Sequence, residues 1–205
     1  MDIILASKNK GKVNEIKKIL GNPDLHIITM QEIGIDIDIE ETGSTFEENA
    51  IIKAESLKKF ILKNKPDINS FIILADDSGL EIDALNKMPG IYSARYLGED
   101  TPYDEKNEQI LNKIKDEKNR AARFVCAVAL AQDNEETTVV KGIVEGHIGD
   151  VAEGSNGFGY DPIFYVGDKA FAQLDPEEKN KISHRSIALN KIKQEIEICN
   201  AIENL

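Results

Sequence analysis

Hydrophobic positions in the first half of the chain follow two alternating spacings. The continuous apolar runs "DIILAS" and "FIILA" predict two buried strands, the first from Ile3 to Ala6 and the second over residues 71–75. "HIITM" predicts a further strand over residues 26–30. Between these runs, apolar residues from Gly11 to Leu20 recur every three or four positions, which predicts a helix that "GNP" ends. Strands that alternate with helices are therefore expected.

A second amphipathic helix follows a stretch of alternating isoleucines. "GIDIDIEETG" predicts a strand or an extended edge that ends at Glu40. The next apolar residues share one helical stripe, which predicts a long helix closed by "KNKPDINS". "STFEE" supplies a capping box at its start, either Ser44 with Glu47 or Thr45 with Glu48.

The second half of the chain predicts a hairpin and a C-terminal helix. Thr101-Pro102 opens a shorter helix that runs through Ile114. "RFVCAVALAQ" and "TTVVKGIVEGHIG" predict two long strands joined by the polar turn "DNEE". The last helix carries apolar residues at helical spacing: Leu189, Ile192, Ile196 and Cys199. The fold class is therefore α/β with a mixed sheet, and its division into an early and a late half predicts two lobes.

Composition narrows the class of protein. A chain of 205 residues with 41% hydrophobic and 30% charged residues predicts one globular domain over residues 1–205. Two cysteines in apolar or helical settings predict a reducing compartment, and no apolar stretch reaches membrane-spanning length, so a cytoplasmic protein is expected. A net charge of −12 argues against nucleic acid and anionic membranes as partners, but not against a small anionic ligand.

The first strand-to-helix turn gathers positive charge in this acidic chain. Ser7, Lys8, Asn9 and Lys10 precede Gly11 and Lys12 in "SKNKGK". A helix that starts directly after a strand aims backbone N–H groups and a partial positive charge at the turn, which suits a phosphate. The spacing of a P-loop is absent. The alternative interpretation is a solvated helix cap whose lysines contact only water.

Acidic residues follow two of the predicted strands. Glu40 and Glu41 precede the long helix that carries Lys53, and Asp76 and Asp77 follow "FIILA". A carboxylate at the end of a buried strand must be paired, hydrated or bound to a cation, and this place often holds magnesium in α/β enzymes. Adjacent residues of a continuous strand point to opposite faces, so the two aspartates would then serve different sites. Ordinary acidic turns are the alternative.

The last polar cluster combines an aromatic loop with a basic run. In "SNGFGYDP", Phe158, Gly159 and Tyr160 offer an aromatic plane on which a base can stack, and Asp161 can accept hydrogen bonds from ring N–H groups. "KNKISHR" adds potential donors: Lys179, Lys181, His184 and Arg185. A core hairpin and a solvated helix cap are the alternatives.

Together these segments closely resemble the inosine/xanthosine triphosphate pyrophosphatase family. The matching blocks, in chain order, are "ASKNKGKVNEI", "EETGSTFEENAIIKA", "LADDSGLEIDAL", "PGIYSARY", "SNGFGYDPIF" and "EEKNKISHRSIAL". One departure is visible: the family commonly has Thr-Gly-Asn at the first turn, where this chain has Ser7-Lys8-Asn9. The hydroxyl is kept, but a lysine replaces the glycine.

The resemblance implies an elongated, helix-flanked central sheet, two lobes with a cleft between them, and a homodimer. It implies hydrolysis of inosine, deoxyinosine and xanthosine triphosphates to the monophosphate and pyrophosphate with Mg²⁺. Asp77 is the implied proton acceptor, and Asp77 with Glu40, or less surely Glu41, is implied to serve the metal. The implied substrate contacts are Ser7, Lys8, Asn9, Lys10, Gly11, Lys12, Lys53, Ser78, Phe158, Gly159, Tyr160, Asp161, Lys179, His184 and Arg185.

Two rival functions remain at this point. A pyrophosphatase of the Maf type would act on pyrimidine or modified triphosphates, and the "GFGYDP" and "SHR" blocks disfavour it. A non-catalytic nucleotide sensor could dispense with a carboxylate that activates water, so the set of Glu40, Asp77 and Lys53 disfavours that function.

Overall fold

One mixed sheet of seven strands organises the chain. The computed structural model describes residues 2–133 and 135–203, and the backbone alone over residues 199–203. The strands are β1 (Asp2–Leu5), β2 (His26–Thr29), β3 (Phe71–Ile82), β4 (Ala121–Ala131), β5 (Thr138–Ile148), β6 (Phe164–Val166) and β7 (Lys169–Ala170). Their order is β2-β1-β3-β4-β5-β6-β7. β1 pairs in parallel with β2 and β3, whereas β6 pairs antiparallel with β5 and β7.

Five α-helices accompany the sheet: α1 (Lys10–Leu20), α2 (Phe46–Asn64), α3 (Tyr103–Lys113), α4 (Pro176–Ile182) and α5 (His184–Glu203). Asn9 caps α1 by accepting the N–H of Lys12. At α2 the threonine alternative of the predicted capping box is the one that forms, because the Thr45 side chain accepts the N–H of Glu48. The predicted α/β class with a mixed sheet is confirmed.

The chain divides into two compact units. Unit 1 comprises Met1–Asp77, Cys126–Gly142 and Arg185–Leu205. Its core brings together apolar side chains from β1, α1, β3, β4 and α5, among them Ile3, Leu5, Ile16, Leu74, Val128, Leu189 and Ile192. Burial of each such aliphatic side chain contributes about 1.5–3 kcal/mol. This core fixes the ends of β1 and β3 relative to α1, and thereby the polar groups that these elements carry.

Unit 2 comprises Ser78–Val125 and Ile143–His184. Its core is aromatic: the ring of Phe124 stacks on His184 with centroids 4.7 Å apart and lies 4.6 Å from the ring of Phe164. Phe171 packs against the same two phenylalanines. On another surface, Arg123 of β4 forms ion pairs with Asp83 and Glu145.

Two predicted boundaries differ from the structure. Of the two alternatives predicted from the alternating isoleucines, a strand or an extended edge, the strand is wrong, because residues 35–43 form neither helix nor strand. Ile35 is nevertheless buried and the aspartates beside it are exposed, so the alternation reports burial of an extended segment that pairs with no strand. β3 extends seven residues beyond Ala75 and includes Asp76 and Asp77. The side chain of Cys199 lies outside the described residues.

Candidate active site

Two adjacent aspartates of β3 form the centre of the polar cluster in unit 1. Asp76 and Asp77 are both buried, and because β3 continues through them their side chains point to opposite faces. Their nearest partners differ, but the charges of Lys12 and Lys53 act on both carboxylates, so the two aspartates belong to one cluster and not to the separate sites expected for opposite faces.

Asp76 is held by positive charge. Its Oδ2 accepts hydrogen bonds from Arg185 at 3.0 Å (Nη2) and 3.3 Å (Nε), and it lies 3.3 Å from Nζ of Lys12. Arg185 also pairs with Glu15 of α1. Burial alone would raise the pKa of Asp76, but the charges of Lys12 and Arg185 outweigh it and hold that pKa well below its usual range. Asp76 is therefore ionised throughout the physiological range.

Asp77 faces α2. Its Oδ2 accepts a hydrogen bond from Asn49 Nδ2 at 3.1 Å, and its Oδ1 lies 3.6 Å from Nζ of Lys53. Burial raises the pKa of Asp77 above its ordinary value, although Lys53 and Lys12 offset part of that rise. Two neighbouring carboxylates whose pKa values are pushed apart are a common arrangement in acid–base catalysis. Asp77 is the member suited to accept a proton.

Lys53 links Asp77 to one of the two predicted glutamates. Nζ of Lys53 lies 2.6 Å from Oε1 of Glu41, and both side chains are largely buried. Burial lowers the pKa of Lys53, but Asp77, Asp76 and Glu41 together raise it above its ordinary value. Glu40 is exposed. Of the two glutamates left open by the sequence, the structure brings Glu41 to Lys53 and Asp77.

The lysine-rich turn is ordered by its own side chains. Ser7 Oγ accepts the N–H of Asn9 at 3.3 Å, and Asn9 Oδ1 accepts the N–H of Lys12 at 3.1 Å. Lys12 is thereby directed toward Asp76, while Lys10 is exposed. Lys8 points elsewhere: its Nζ lies 2.7 Å from carboxylate oxygens of both Asp36 and Asp38. The lysine that replaces the family glycine thus pairs with the acidic segment after β2.

In unit 2, the predicted aromatic loop is built around a buried ion pair. Asp161 Oδ2 accepts from Nζ of Lys179 at 2.6 Å and from the N–H of Phe158 at 2.8 Å. Tyr160 is buried, and its hydroxyl donates to the carbonyl of Ser93 at 2.8 Å. Phe158 is half-buried, with its ring centroid 5.0 Å from Nζ of Lys179. Phe158 is therefore the ring of this loop that stays accessible for stacking.

The basic run "KNKISHR" divides between different environments. Lys179 on α4 pairs with Asp161, and His184 stacks on Phe124 in the aromatic core of unit 2. Arg185 belongs to the ion network of unit 1. Ser78, the first residue of unit 2, is half-buried on β3. Lys179 and His184 therefore contact residues of unit 2, whereas Arg185, the next residue, contacts residues of unit 1.

Two residues of the unit 1 cluster were not predicted as site residues. Asn49 lies fully buried on the apolar side of α2 and contacts Asp77, and Asp76 binds Lys12 and Arg185. A signal for Asn49 was present in the sequence: it follows Phe46 by three positions and precedes Ala50, so an amide interrupts the apolar stripe.

The carboxylates of unit 1 fit a divalent cation. The ammonium group of Lys53 lies near both Glu41 and Asp77, so both carboxylates approach one positive charge. Oδ1 of Asp76 is buried without a hydrogen-bond partner among the described residues. Within those residues no group of three or more His, Cys, Asp or Glu side chains could hold a metal by itself. Magnesium at nucleotide sites uses one or two carboxylates together with substrate phosphates, so a smaller protein donor set suffices.

Fold and site together define a class: an α/β protein in which a central strand carries two carboxylates that face lysines of two helices, an arrangement suited to a phosphorylated ligand. The chain belongs to the Ham1 family, which it matches over residues 3–195. It is 49% identical over 191 residues to a "dITP/XTP pyrophosphatase" of Staphylococcus aureus (strain MRSA252), covering 92% of this chain and 93% of that protein. It is 48% identical to the protein of the same name from Clostridium perfringens, covering 94% and 96%.

Solved structures agree. The Staphylococcus aureus Ham1 protein matches with a TM-score of 0.83 and 49% identity, over 96% of this chain and 98% of that one. A HAM1 protein from Coxiella burnetii matches with a TM-score of 0.82 and 40% identity, over 97% and 99%. The family predicted from the sequence blocks is confirmed.

Proposed function

We propose that the chain hydrolyses deoxyinosine, inosine and xanthosine triphosphates to the nucleoside monophosphate and pyrophosphate. The observation that carries this proposal is the cluster in unit 1, where Lys12 and Lys53 stand beside Asp76 and Asp77. The relatives from Staphylococcus aureus and Clostridium perfringens are named for dITP and XTP, which supports two of these three substrates. A Maf-type activity and a non-catalytic sensor are not favoured by these relatives.

Asp77 is the proposed proton acceptor. A water molecule attacks the α-phosphorus, Asp77 takes its proton, and the new P–O bond replaces the bond to the bridging oxygen that leaves with pyrophosphate. Burial raises the pKa of Asp77 toward the pH at which the enzyme works, which makes its carboxylate a better proton acceptor. Lys12 and Lys53 offset the negative charge that accumulates on the departing oxygens, a contribution that is usually large in phosphoryl transfer.

We propose that Glu41 and Asp77 hold Mg²⁺ together with the substrate phosphates. When bound, the metal neutralises phosphate oxygens and lowers the pKa of a bound water. The resemblance implied Glu40, or less surely Glu41, as the metal ligand. We choose Glu41 because it is the glutamate beside Lys53.

We propose that residues of unit 2 recognise the purine base. Phe158 offers a half-buried ring for stacking, and its neighbour Asp161 holds the loop through the Phe158 N–H. Hypoxanthine and xanthine carry a carbonyl at position six, which accepts hydrogen bonds, whereas adenine carries an amino group there. Lys179 and His184 remain the proposed donors of this unit. A donor that meets the adenine amino group is left unpaired, which costs about 1–3 kcal/mol.

A substrate panel tests the proposal. We expect dITP, ITP and XTP to be hydrolysed with Mg²⁺, with kcat/KM at least about 100-fold above that for ATP, UTP or TTP, because mispaired polar groups discriminate strongly. Released pyrophosphate is measured with and without metal. Preference for UTP or TTP would indicate the Maf-type activity, and nucleotide binding without pyrophosphate release would indicate a sensor. A homodimer and a cytoplasmic location remain predictions.

Replacing Lys12 by alanine is expected to lower kcat/KM for dITP by roughly 10- to 100-fold, because a charge-assisted contact to phosphate contributes about 1.5–3 kcal/mol. The matched control is Lys8→Ala in the same turn. Lys8 is exposed and pairs with Asp36 and Asp38, so its loss should change kcat/KM by less than about threefold. Steady-state kinetics at fixed ionic strength compares the two variants.

If Lys8→Ala were impaired and Lys12→Ala were not, Lys8 and not Lys12 would be the lysine that contacts the phosphates. If both variants were as active as wild type, neither lysine would contact the phosphates, and the turn would serve only as a helix cap.

A further inference from the structure

A fully buried amide on α2 connects two segments of the proposed metal site. Asn49 has a relative exposure of 0% and shares its side of the helix with Phe46, Ala50, Ala54 and Leu57. Asparagine has a low helix propensity, and an unpaired buried amide is costly. Its presence therefore needs specific partners, and the structure supplies one for each end of the amide.

The donor end of the amide contacts Asp77. Nδ2 of Asn49 donates to Oδ2 of Asp77 at 3.1 Å, which leaves Oδ1 of Asp77 on the side of Lys53, 3.6 Å away. Hydrogen bonds to an ionised acceptor are stronger and more directional than neutral ones. The contact therefore fixes the rotation of the carboxylate about its χ2 angle and selects which oxygen faces Lys53.

The acceptor end contacts the segment before α2. Oδ1 of Asn49 accepts the N–H of Gly43 at 2.8 Å. A Cβ at Gly43 would lie 2.7 Å from both Asn49 Oδ1 and Glu48 Cβ, so only glycine lets this backbone approach the first turn of the helix. Gly43 stands two residues after Glu41, which pairs with Lys53. One side chain thus spans from the segment of Glu41 to the carboxylate of Asp77.

We propose that Asn49 is a positioning residue that orients Asp77 and holds the Glu41 segment against it, with Gly43 as the required partner. The expected effect on kcat rests on the proposed function, in which Asp77 accepts the proton of the attacking water. Asn49 touches neither substrate nor metal in this role. Its loss should therefore lower kcat more than it changes KM, because Lys12, a proposed phosphate contact, lies on α1 beside Asp76.

The test compares Asn49→Leu with Asn64→Leu, the same change at an exposed position near the end of the same helix. Leucine keeps the number and branching of the side-chain heavy atoms of asparagine and removes both hydrogen bonds. We expect kcat for dITP to fall roughly 10- to 100-fold with KM changed less than about threefold, because small misplacements of a catalytic group are costly. Asn64→Leu should match wild type. Asn49→Gln, which keeps the amide, should recover part of the loss.

A crystal structure of Asn49→Leu separates the inference from the proposed function, because it needs no substrate. We expect the Asp77 carboxylate to rotate or the segment of Glu41 to shift. An unchanged Asp77, with unchanged kcat per folded molecule and only a lower melting temperature, would overturn the inference. An inactive wild type with a displaced Asp77 in the variant would overturn the proposed function alone. If Asn49→Leu does not fold, Gly43→Ala approaches the same contact from the other side, with the same expectations.

Discussion

Asp77→Asn is expected to abolish turnover of dITP, lowering kcat by about 10²–10⁴-fold, the contribution typical of a positioned general base. Asparagine has the same shape as aspartate, and its carbonyl oxygen can still accept the hydrogen bond that Asn49 donates to Asp77. The amide cannot take a proton from water and is a poor ligand for Mg²⁺. We therefore expect the loss to appear in kcat, measured as pyrophosphate release at saturating Mg²⁺, while the urea unfolding curve stays close to that of wild type.

Asp24→Asn provides the matched control for this prediction. Asp24 is an exposed aspartate of the same unit, outside the carboxylate cluster, and its change should leave both kcat and stability unaltered. Activity of Asp77→Asn within about tenfold of wild type would remove Asp77 from the proton-accepting role. Asp76 would not replace it, because Lys12 and Arg185 hold that carboxylate ionised and engaged.

Local signals in the sequence predicted the elements that position the site. The change from a continuous apolar run to helical spacing located β1 and α1, and the capping residues located the start of α2. These signals work because burial and capping depend on residues close in the chain. The alternating isoleucines of residues 33–39 show the limit: alternation reports which side chains are buried, whereas a strand also needs a partner that only the tertiary fold supplies.

The length of β3 shows a second limit. Asp76 and Asp77 interrupt an apolar run, so the sequence predicted that they follow the strand. If the strand continued through them, their side chains were expected to point to opposite faces. The structure continues the strand because Lys12, Arg185, Asn49 and Lys53 compensate both buried carboxylates. These partners come from α1, α2 and α5, and no local pattern pairs them with β3.

The basic run before α5 shows why roles were harder to predict than positions. Lys179 and Arg185 lie six residues apart, yet one pairs with Asp161 in unit 2 and the other with Asp76 in unit 1. Closeness in sequence suggested one shared role in recognition. Asp76 and Arg185 are 109 residues apart in the chain, so their ion pair could be known only from the fold.

Arg185→Met is expected to destabilise the protein by about 3–5 kcal/mol, the usual cost of leaving a buried charge without its partner. The guanidinium group is 1% exposed and supplies two hydrogen bonds to Oδ2 of Asp76 as well as the pair with Glu15. Methionine fills much of the same space but carries no charge. Lys12 alone then faces Asp76, and we expect a large decrease in the urea midpoint of unfolding.

Arg123→Met is the matched control, since Arg123 also binds carboxylates, those of Asp83, Glu145 and, at 3.5 Å, Glu81. Its partners Asp83 and Glu145 are 31% and 68% exposed and its more distant partner Glu81 is 18% exposed, whereas Asp76 is 1% exposed, so its loss should cost about 1 kcal/mol. Adding Asp76→Asn to Arg185→Met removes the buried carboxylate that has lost Arg185 and should restore part of the lost stability. If Arg185→Met unfolds like wild type but shows a raised KM for dITP, Arg185 contacts the substrate, as the sequence predicted, and the ion pair with Asp76 is not its main contribution.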